Sequence, residues 1–546
     1  MLRPVCFILA SLLISFAWLS PFHTYPWVTF SSELASLGAG LALLPLLFNQ
    51  RLYIARAQIW MFAIVLIPLL QWGFGLVDDF SVAFLSASYL FMFWLMIICG
   101  YQLAQDPQQR QHLMQAFSYV VVGCAFISAI MAIIQWLNLE PYIYGVMPLK
   151  GSRPYANFGQ PNNLATFLIM GLMGALYLYE RYKAKLWILV PISLTILFAI
   201  CLTQSRTSWI VCIFIIFYWL YKQYKQRPRL NVLKLLGWTI LYFVVAGYLL
   251  PIIMHFIASD VGADVVQTAS VVQRAGKGHE RIGMWIQILQ AIADQPWLGY
   301  GWNHTSIAVV ESIQFNTVQV WFNSAHNVLF DILVWNGIPL GGAIIAYMAL
   351  WLFWLNRNAK DHVSIIAMLM VSAILIHAML EFPQRYACFL LPLGFLLGLI
   401  QAQTPQLKGI KLHYYLVRCG GVMILLLLLL VWRDYKLYQV NSHLIFKGKA
   451  PTEQVLGSTQ ILLLTQFQQR LTWLMLNPKT SMSDDDLEQW SEMVKNKATP
   501  YNLKKYAQLL VFNHKTSEAR QYVLVLNQLH RKQVSVDEMI ANKPVK

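Results

Sequence analysis

Apolar residues in this chain fall in long uninterrupted runs, not in the alternating or three-to-four spacing of half-buried elements. "GVMILLLLLLVW", residues 421–432, is the plainest. About 20 consecutive apolar residues are enough to cross a bilayer as a helix. Thirteen segments fit: 5–20, 35–49, 58–77, 82–102, 116–137, 163–179, 186–202, 208–221, 235–257, 338–356, 363–380, 387–402 and 412–432. With so many spans, the helix is the backbone form that satisfies its own polar groups in lipid. The pattern predicts an all-α polytopic membrane protein of about thirteen transmembrane helices. Segment 5–20 follows Arg3 and resembles a signal peptide, but it lacks a clear small-x-small cleavage site and is read as the first span.

The polar stretches between the runs divide the chain. Residues 1–137 are N-terminal transmembrane helices with short loops. Residues 138–402 form a membrane core with the informative loops, the longest at about 258–337. Residues 403–432 bring the last span, and 433–546 form a polar C-terminal helical domain. Four helical pieces are expected in that tail, the last opened by a cap and an acidic first turn at "TSEA". It reads as a small helical appendage or as a partner-binding module; no strict 34-residue repeat is visible.

Composition and charge sharpen the picture. The chain is 58% hydrophobic and 12% charged, against about 25% charged in a soluble domain, which excludes a soluble protein. If the N-terminus lies in the cytoplasm, the inner loops hold seventeen Lys and Arg and the outer loops seven. That bias fixes the orientation and puts the tail outside. It also accounts for much of the net charge of +16, so nucleic-acid binding is not needed to explain it. The seven cysteines lie in or beside spans and form no Cys-x-x-Cys pair, which predicts neither a disulfide framework nor a thiolate metal site.

Three outer arginines run against the bias. Arg206 sits in the short connection "TQSRTS", and Arg153 and Arg281 lie in longer outer loops. Charge near a bilayer is costly, and guanidinium groups pair well with phosphate. An anionic ligand at the outer leaflet is one reading; lipid headgroups or local acids (Glu280, Asp260, Asp264) are the other. The loop "GSRPYANFGQPNN" adds Asn157, Gln160, Asn162 and Asn163, amides suited to sugar hydroxyls or to capping the next helix. His326, beside Asn327, lies where an outer loop becomes a helix, and Asp331 follows five residues later. Taken alone, His326 reads more readily as a cap or a buried imidazole than as a base. Tyr386 stands in "LEFPQRYACF", by default an interface tyrosine. There is no Walker loop, dinucleotide fingerprint or His-Glu-x-x-His, so no metal or other cofactor is expected.

"SRPYANFGQPNNLATFL", "LTQSRTSWI", "ERIGMWIQILQAIADQPWLGYGW" and "SAHNVLFDILVWNGIPLG", in that order and spacing, resemble the O-antigen ligase and polymerase superfamily. "GQPN", "EFPQRYA" and the polar tail resemble its protein O-oligosaccharyltransferase branch, of the PglL type. The resemblance implies a multi-pass inner-membrane enzyme with its active site facing the periplasm. It would move an oligosaccharide whole from undecaprenyl pyrophosphate to a Ser or Thr of a periplasmic or pilin-like protein. It also implies roles: His326 as the essential histidine, Gln160 and Tyr386 beside it, and Arg206 and Arg281 facing the pyrophosphate, with Arg153 in the first motif. Asn162, Asn327 and Asp331 would support them. The resemblance moves His326 from a cap toward a base. Two alternatives stand beside this one. One is an O-antigen ligase or polymerase with a lipid A core or glycan acceptor. The other is a lipid-linked sugar flippase, against which the outer-edge placement of the polar groups counts.

Overall fold

The structure, a computed structural model, describes residues 2–49, 51–223, 228–250, 252–253, 256, 279–404, 407–449 and 461–535. Expectations placed on 257–278 (Asp260, Asp264 and the first part of the long loop) and on the start of the first tail helix lie outside these residues.

Each expected span coincides with a helix: α1 (Leu2–Leu19), α2 (Phe30–Leu43), α3 (Arg56–Gly73), α4 (Phe80–Leu103), α5 (Pro107–Trp136), α6 (Pro161–Glu180), α7 (Leu186–Thr203), α8 (Arg206–Gln223) and α9 (Val232–Val244). Two short helices follow, α10 (His279–Asp294) and α11 (Thr305–Glu311). Then come α12 (Val328–Asn358), α13 (His362–Ala378), α14 (Ala387–Gln401) and α15 (Tyr414–Phe446). Among the described residues nine helices are long and apolar enough to cross a membrane, and three shorter ones are apolar. The tail carries α16 (Thr465–Met475), α17 (Asp484–Asn496), α18 (Pro500–Phe512) and α19 (Thr516–His530). One departure from an all-helical chain is a small antiparallel ribbon, β1 (Leu52–Ala55) with β2 (Gly409–Leu412), pairing Leu52 with Leu412. The seven cysteines are free thiols.

Two compact units form. The first comprises Met1–Phe62, Phe91–Gly276 and Leu350–Leu425. Within it α6 is packed by α5, α7, α8 and α13. Helix–helix contact in lipid relies on small residues that let backbones approach. At Gly398 of α14 a Cβ would lie 2.0 Å from the Ile97 carbonyl of α4, so no larger residue fits. Buried polar groups are paired: the side-chain amides of Gln58 and Gln401 exchange bonds of 2.7 and 2.9 Å.

The second unit comprises Ala63–Leu90, Lys277–Ala349 and Leu426–Lys546. Here α12 is two helices meeting at Gly337, whose φ of 71° is left-handed. A Cβ there would meet the Trp297 carbonyl at 2.4 Å, so glycine is required on both counts. A broken helix at membrane depth must have its freed backbone groups paired again. Tyr300 N–H donates to Val334 O at 2.8 Å and Gly301 N–H to Trp335 O at 3.1 Å. Gln71 Nε2 also reaches Trp335 O, at 3.1 Å.

The tail is built into this same unit. α15 runs on to Phe446, past the expected end at 432. The buried carboxylate of Asp434 accepts the N–H groups of Leu462, Leu463 and Leu464 at 2.9, 2.7 and 3.2 Å. Ser306 of α11 donates to the Lys495 carbonyl of α17 at 2.7 Å, and the apolar core continues through Trp473, Tyr506, Leu510 and Leu526. The acidic run "SDDDLE" opens α17, capped by Ser483. The expected cap at "TSEA" is corrected: Lys515 holds the cap position of α19 without a side-chain bond, while Glu518 lies in the first turn.

Candidate active site

The candidate residues fall into two groups, one in each unit. In the second unit, the turn before α12 carries His326 with φ of 52°, a left-handed conformation uncommon outside glycine. The capping task falls to its neighbour. Asn327 Oδ1 accepts the N–H of Leu329 at 2.9 Å and of Phe330 at 3.4 Å. Asp331, fully buried, secures the turn from the other side. Its carboxylate accepts Ser324 Oγ at 2.7 Å, Ala325 N–H at 2.9 Å and Thr305 Oγ1 at 3.0 Å. Ser324 Oγ in turn takes the His326 N–H at 3.2 Å. The half-buried imidazole therefore belongs to a turn whose backbone is held at the Ala325 and His326 N–H groups. Thr305 is fixed by Trp335 Nε1 at 2.8 Å.

Arg281 is on α10, one turn from Trp285 and so on the same face of that helix. The Trp285 indole donates to Ala325 O at 2.9 Å, one residue from His326. Arg281 and His326 are thereby brought to the same neighbourhood.

In the first unit, Glu381 is the hub. Its buried carboxylate accepts Asn162 Nδ2 at 3.1 Å and Gln160 Nε2 at 3.3 Å. Asn162 Oδ1 accepts Arg153 Nη2 at 3.1 Å, and Arg153 Nε donates to Thr203 O at 2.7 Å. Arg153 thus ties the 153–162 loop to the turn between α7 and α8, where Arg206 opens α8 and is exposed. Gln160 holds the cap position of α6, with no side-chain cap bond. The amide reading as simple helix capping is therefore not what Gln160 and Asn162 do. Tyr386 holds the cap position of α14 without a side-chain cap bond. Burial, reinforced by the Glu33 carboxylate, raises its phenol to about 12, so it stays neutral.

Several participants escaped the sequence reading. Glu381 was visible as an acid in an outer loop, but nothing local tied it to a loop more than two hundred residues earlier. Glu33 accepts the Ala387 N–H at 2.7 Å and was legible only as part of a helix start. His23 Nε2 contacts Asn157 O at 2.9 Å and backs the Gly159 turn, with burial lowering its pKa. Near these groups Gln160 Oε1, Gln204 Oε1 and Ser205 Oγ are buried with no hydrogen-bond partner in the protein. Buried polar atoms are rarely left this way.

A polytopic helical membrane protein with arginines, amides, a carboxylate hub and a half-buried imidazole has the equipment of a membrane group-transfer enzyme. Comparison with known proteins gives the class. Residues 191–345 match the family described as O-Antigen ligase, and residues 154–179 match Protein glycosylation ligase. Residues 365–537 match Virulence factor membrane-bound polymerase, C-terminal. The chain is 49% identical over 538 residues to the General O-oligosaccharyltransferase of Acinetobacter baylyi, covering 98% of this chain and 94% of that one. It is 27% identical over 358 residues to the ComP-specific O-oligosaccharyltransferase of the same organism, covering 65% and 63%. The chain belongs to the PglL-type O-oligosaccharyltransferase family, and it is a multi-pass membrane glycosyltransferase.

Proposed function

We propose that this enzyme transfers an oligosaccharide en bloc from undecaprenyl pyrophosphate to Ser or Thr hydroxyls of periplasmic or pilin-like proteins, with the active site facing the periplasm from the inner membrane. His326 takes the proton of the acceptor hydroxyl. The acceptor oxygen attacks the anomeric carbon, and the bond from that carbon to the pyrophosphate oxygen breaks with inversion. Undecaprenyl pyrophosphate leaves with the electron pair. Arg206, Arg281 and Arg153 bind it, offering fixed positive charge where negative charge grows. Gln160 and Tyr386 hold sugar or acceptor. The observation that supports this reading is the division of labour at the turn: Asn327 caps the helix, so capping does not fall to His326.

The higher identity to a general enzyme than to a ComP-specific one supports more than one acceptor. A second reading has a specific support, the match of residues 191–345 to O-Antigen ligase: transfer to a lipid A core or other glycan. Expression in a host lacking its own protein glycosylation and its own ligase separates the two. Intact-mass analysis of pilin and periplasmic proteins is expected to show added glycan on several of them, dependent on His326. Restored lipopolysaccharide ligation with unmodified proteins would overturn the proposal. Arg206→Ala and Arg281→Ala are each expected to raise donor KM or lower kcat. Unchanged kinetics in both would return these arginines to the role of headgroup anchors.

A further inference from the structure

The first unit contains an apolar cavity of about 340 Å³ between α6, α7, α8 and α9. Leu176, Val190, Leu197, Ile216 and Trp238 are among the residues on its wall, and Lys234 is the one charged residue there among the described residues. α9 closes one side of it with Lys234, Leu235, Trp238, Thr239, Tyr242 and Phe243; of its thirteen residues Leu235 and Tyr242 are the buried ones. Tyr242, its hydroxyl 3.2 Å from Ser208 Oγ, stands at one end and Lys234 at the other. From Lys234 to Phe243 a helix rises about 14 Å, roughly half the ~30 Å hydrocarbon core. That is the depth of one leaflet.

The Lys234 end is basic and firmly built. Lys234 Nζ donates to Tyr179 Oη and to Arg229 O, each at 3.0 Å, which leaves one of its three donors for another partner. The Arg229 guanidinium is stacked 3.5 Å from the Tyr182 ring centroid and 4.2 Å from that of Tyr179. Lys183 and Lys185 are exposed on the adjoining turn. The acid at this end, Glu180, is buried and engaged by the N–H groups of Arg229 and Leu230 at 2.9 and 2.7 Å. This is also the end from which the loops rich in Lys and Arg emerge, the cytoplasmic side by their charge.

We infer that this cavity binds an anionic diacyl phospholipid of the cytoplasmic leaflet, its phosphate on Lys234 beside Arg229 and one acyl chain filling the space between α9 and α6–α7. Basic pockets between helices on the cytoplasmic side suit anionic headgroups. The donor's polyprenyl tail fits less well. Arg206 opens α8 at the opposite end of that helix, so a tail descending from it would bring an uncharged terminus to Lys234. The bound phospholipid completes the packing of α9.

Native mass spectrometry of the full purified chain tests this, using palmitoyl-oleoyl phosphatidylglycerol and the matching phosphatidylcholine added in equal amounts. Wild type is expected to retain the phosphatidylglycerol adduct in clear preference. Lys234→Gln is expected to cut that preference about fivefold, the worth of one basic residue at a membrane surface. Ala175→Phe, which puts a ring into the cavity, is expected to lose the retained adduct with Lys234 intact. A thermal scan of both variants shows whether they are folded, and Ser193→Leu replaces Ala175→Phe if that variant is not. Equal retention of the two lipids by wild type, or an unchanged preference in Lys234→Gln, would overturn the proposal. So would undecaprenyl phosphate displacing phosphatidylglycerol from wild type, which would assign the cavity to the donor tail. Because the readout needs no glycan or acceptor, its failure is distinct from failure of the proposed transfer.

Discussion

The two groups of candidate residues are built in opposite ways. Around His326, the fixing contacts come largely from the same short stretch: Ser324, Ala325, Asn327 and Asp331 lie within eight residues. Around Gln160, the fixing group is Glu381, 221 positions away. The first is a local turn with a carboxylate behind it. The second is a lattice between loops that only folding brings together. A local turn positions a side chain by backbone geometry, whereas a lattice positions several by sharing one charge. The first should fail at one residue, the second in proportion to how many of its bonds are lost.

That contrast can be tested, beginning with the largest effect. His326→Ala is expected to lower kcat by about 10²–10⁴-fold with little change in thermal stability, measured by glycan transfer to a purified acceptor. Wild-type kcat in that variant would remove the proposed base. Asp331→Ala is expected to lower both activity and stability. It leaves the three donors at Ser324, Ala325 and Thr305 without their acceptor, each such loss costing about 1–3 kcal/mol when buried. A melting temperature like that of wild type would show that the turn does not depend on this carboxylate.

In the other group the losses should be coupled. Glu381→Ala and Asn162→Ala are each expected to reduce kcat/KM, and the double variant by less than the product of the two. A coupling of about 0.5–3 kcal/mol is characteristic of residues in one hydrogen-bond network. Strict additivity would dismantle the lattice picture.

The smallest effect concerns His304, the cap residue of α11, buried with Nδ1 3.1 Å from Tyr300 O. Burial lowers its pKa below 6.5, against the raising pull of the Tyr300 carbonyl and the Glu492 and Asp79 carboxylates. A lowered folded-state pKa means the unfolded chain takes up the proton first as pH falls. Its contribution is therefore complete above about pH 6.5 and is lost below it. Wild type is expected to melt earlier at pH 5.5 than at pH 7.5, and His304→Gln to show a smaller difference between the two. An equal difference would place the acid sensitivity elsewhere.

Much of the membrane fold was legible because hydropathy is a local property. Apolar runs found the helices, including the segment at 208–221. The break at Asn336-Gly337 was legible too, since a glycine and a following proline interrupt a helix by their own backbone limits. Asp331 stands out as an acid in an apolar stretch, but five-residue spacing from His326 offers no clear partner. The structure explains why: its partners include the turn behind it and Thr305 on α11. The tail misled most. Its helices were visible, but the buried Asp434 that receives the Leu462–Leu464 backbone sits in what reads as the end of a membrane span, and the contacts of α17 with α11 cross almost two hundred residues.

By itself, then, the sequence determined that this chain lives in a membrane, where its helices run and which residues are candidates for the site. Those follow from side-chain transfer energies and functional groups, which each residue carries wherever it is. What only the tertiary structure decided is which groups share a partner: that Asn327 caps the helix beside His326, that Glu381 gathers Gln160 and Asn162, and that α6, α7, α8 and α9 line one cavity with Lys234 at its end. Hydrogen bonds act over about 3 Å, so these depend on which distant segments folding brings together.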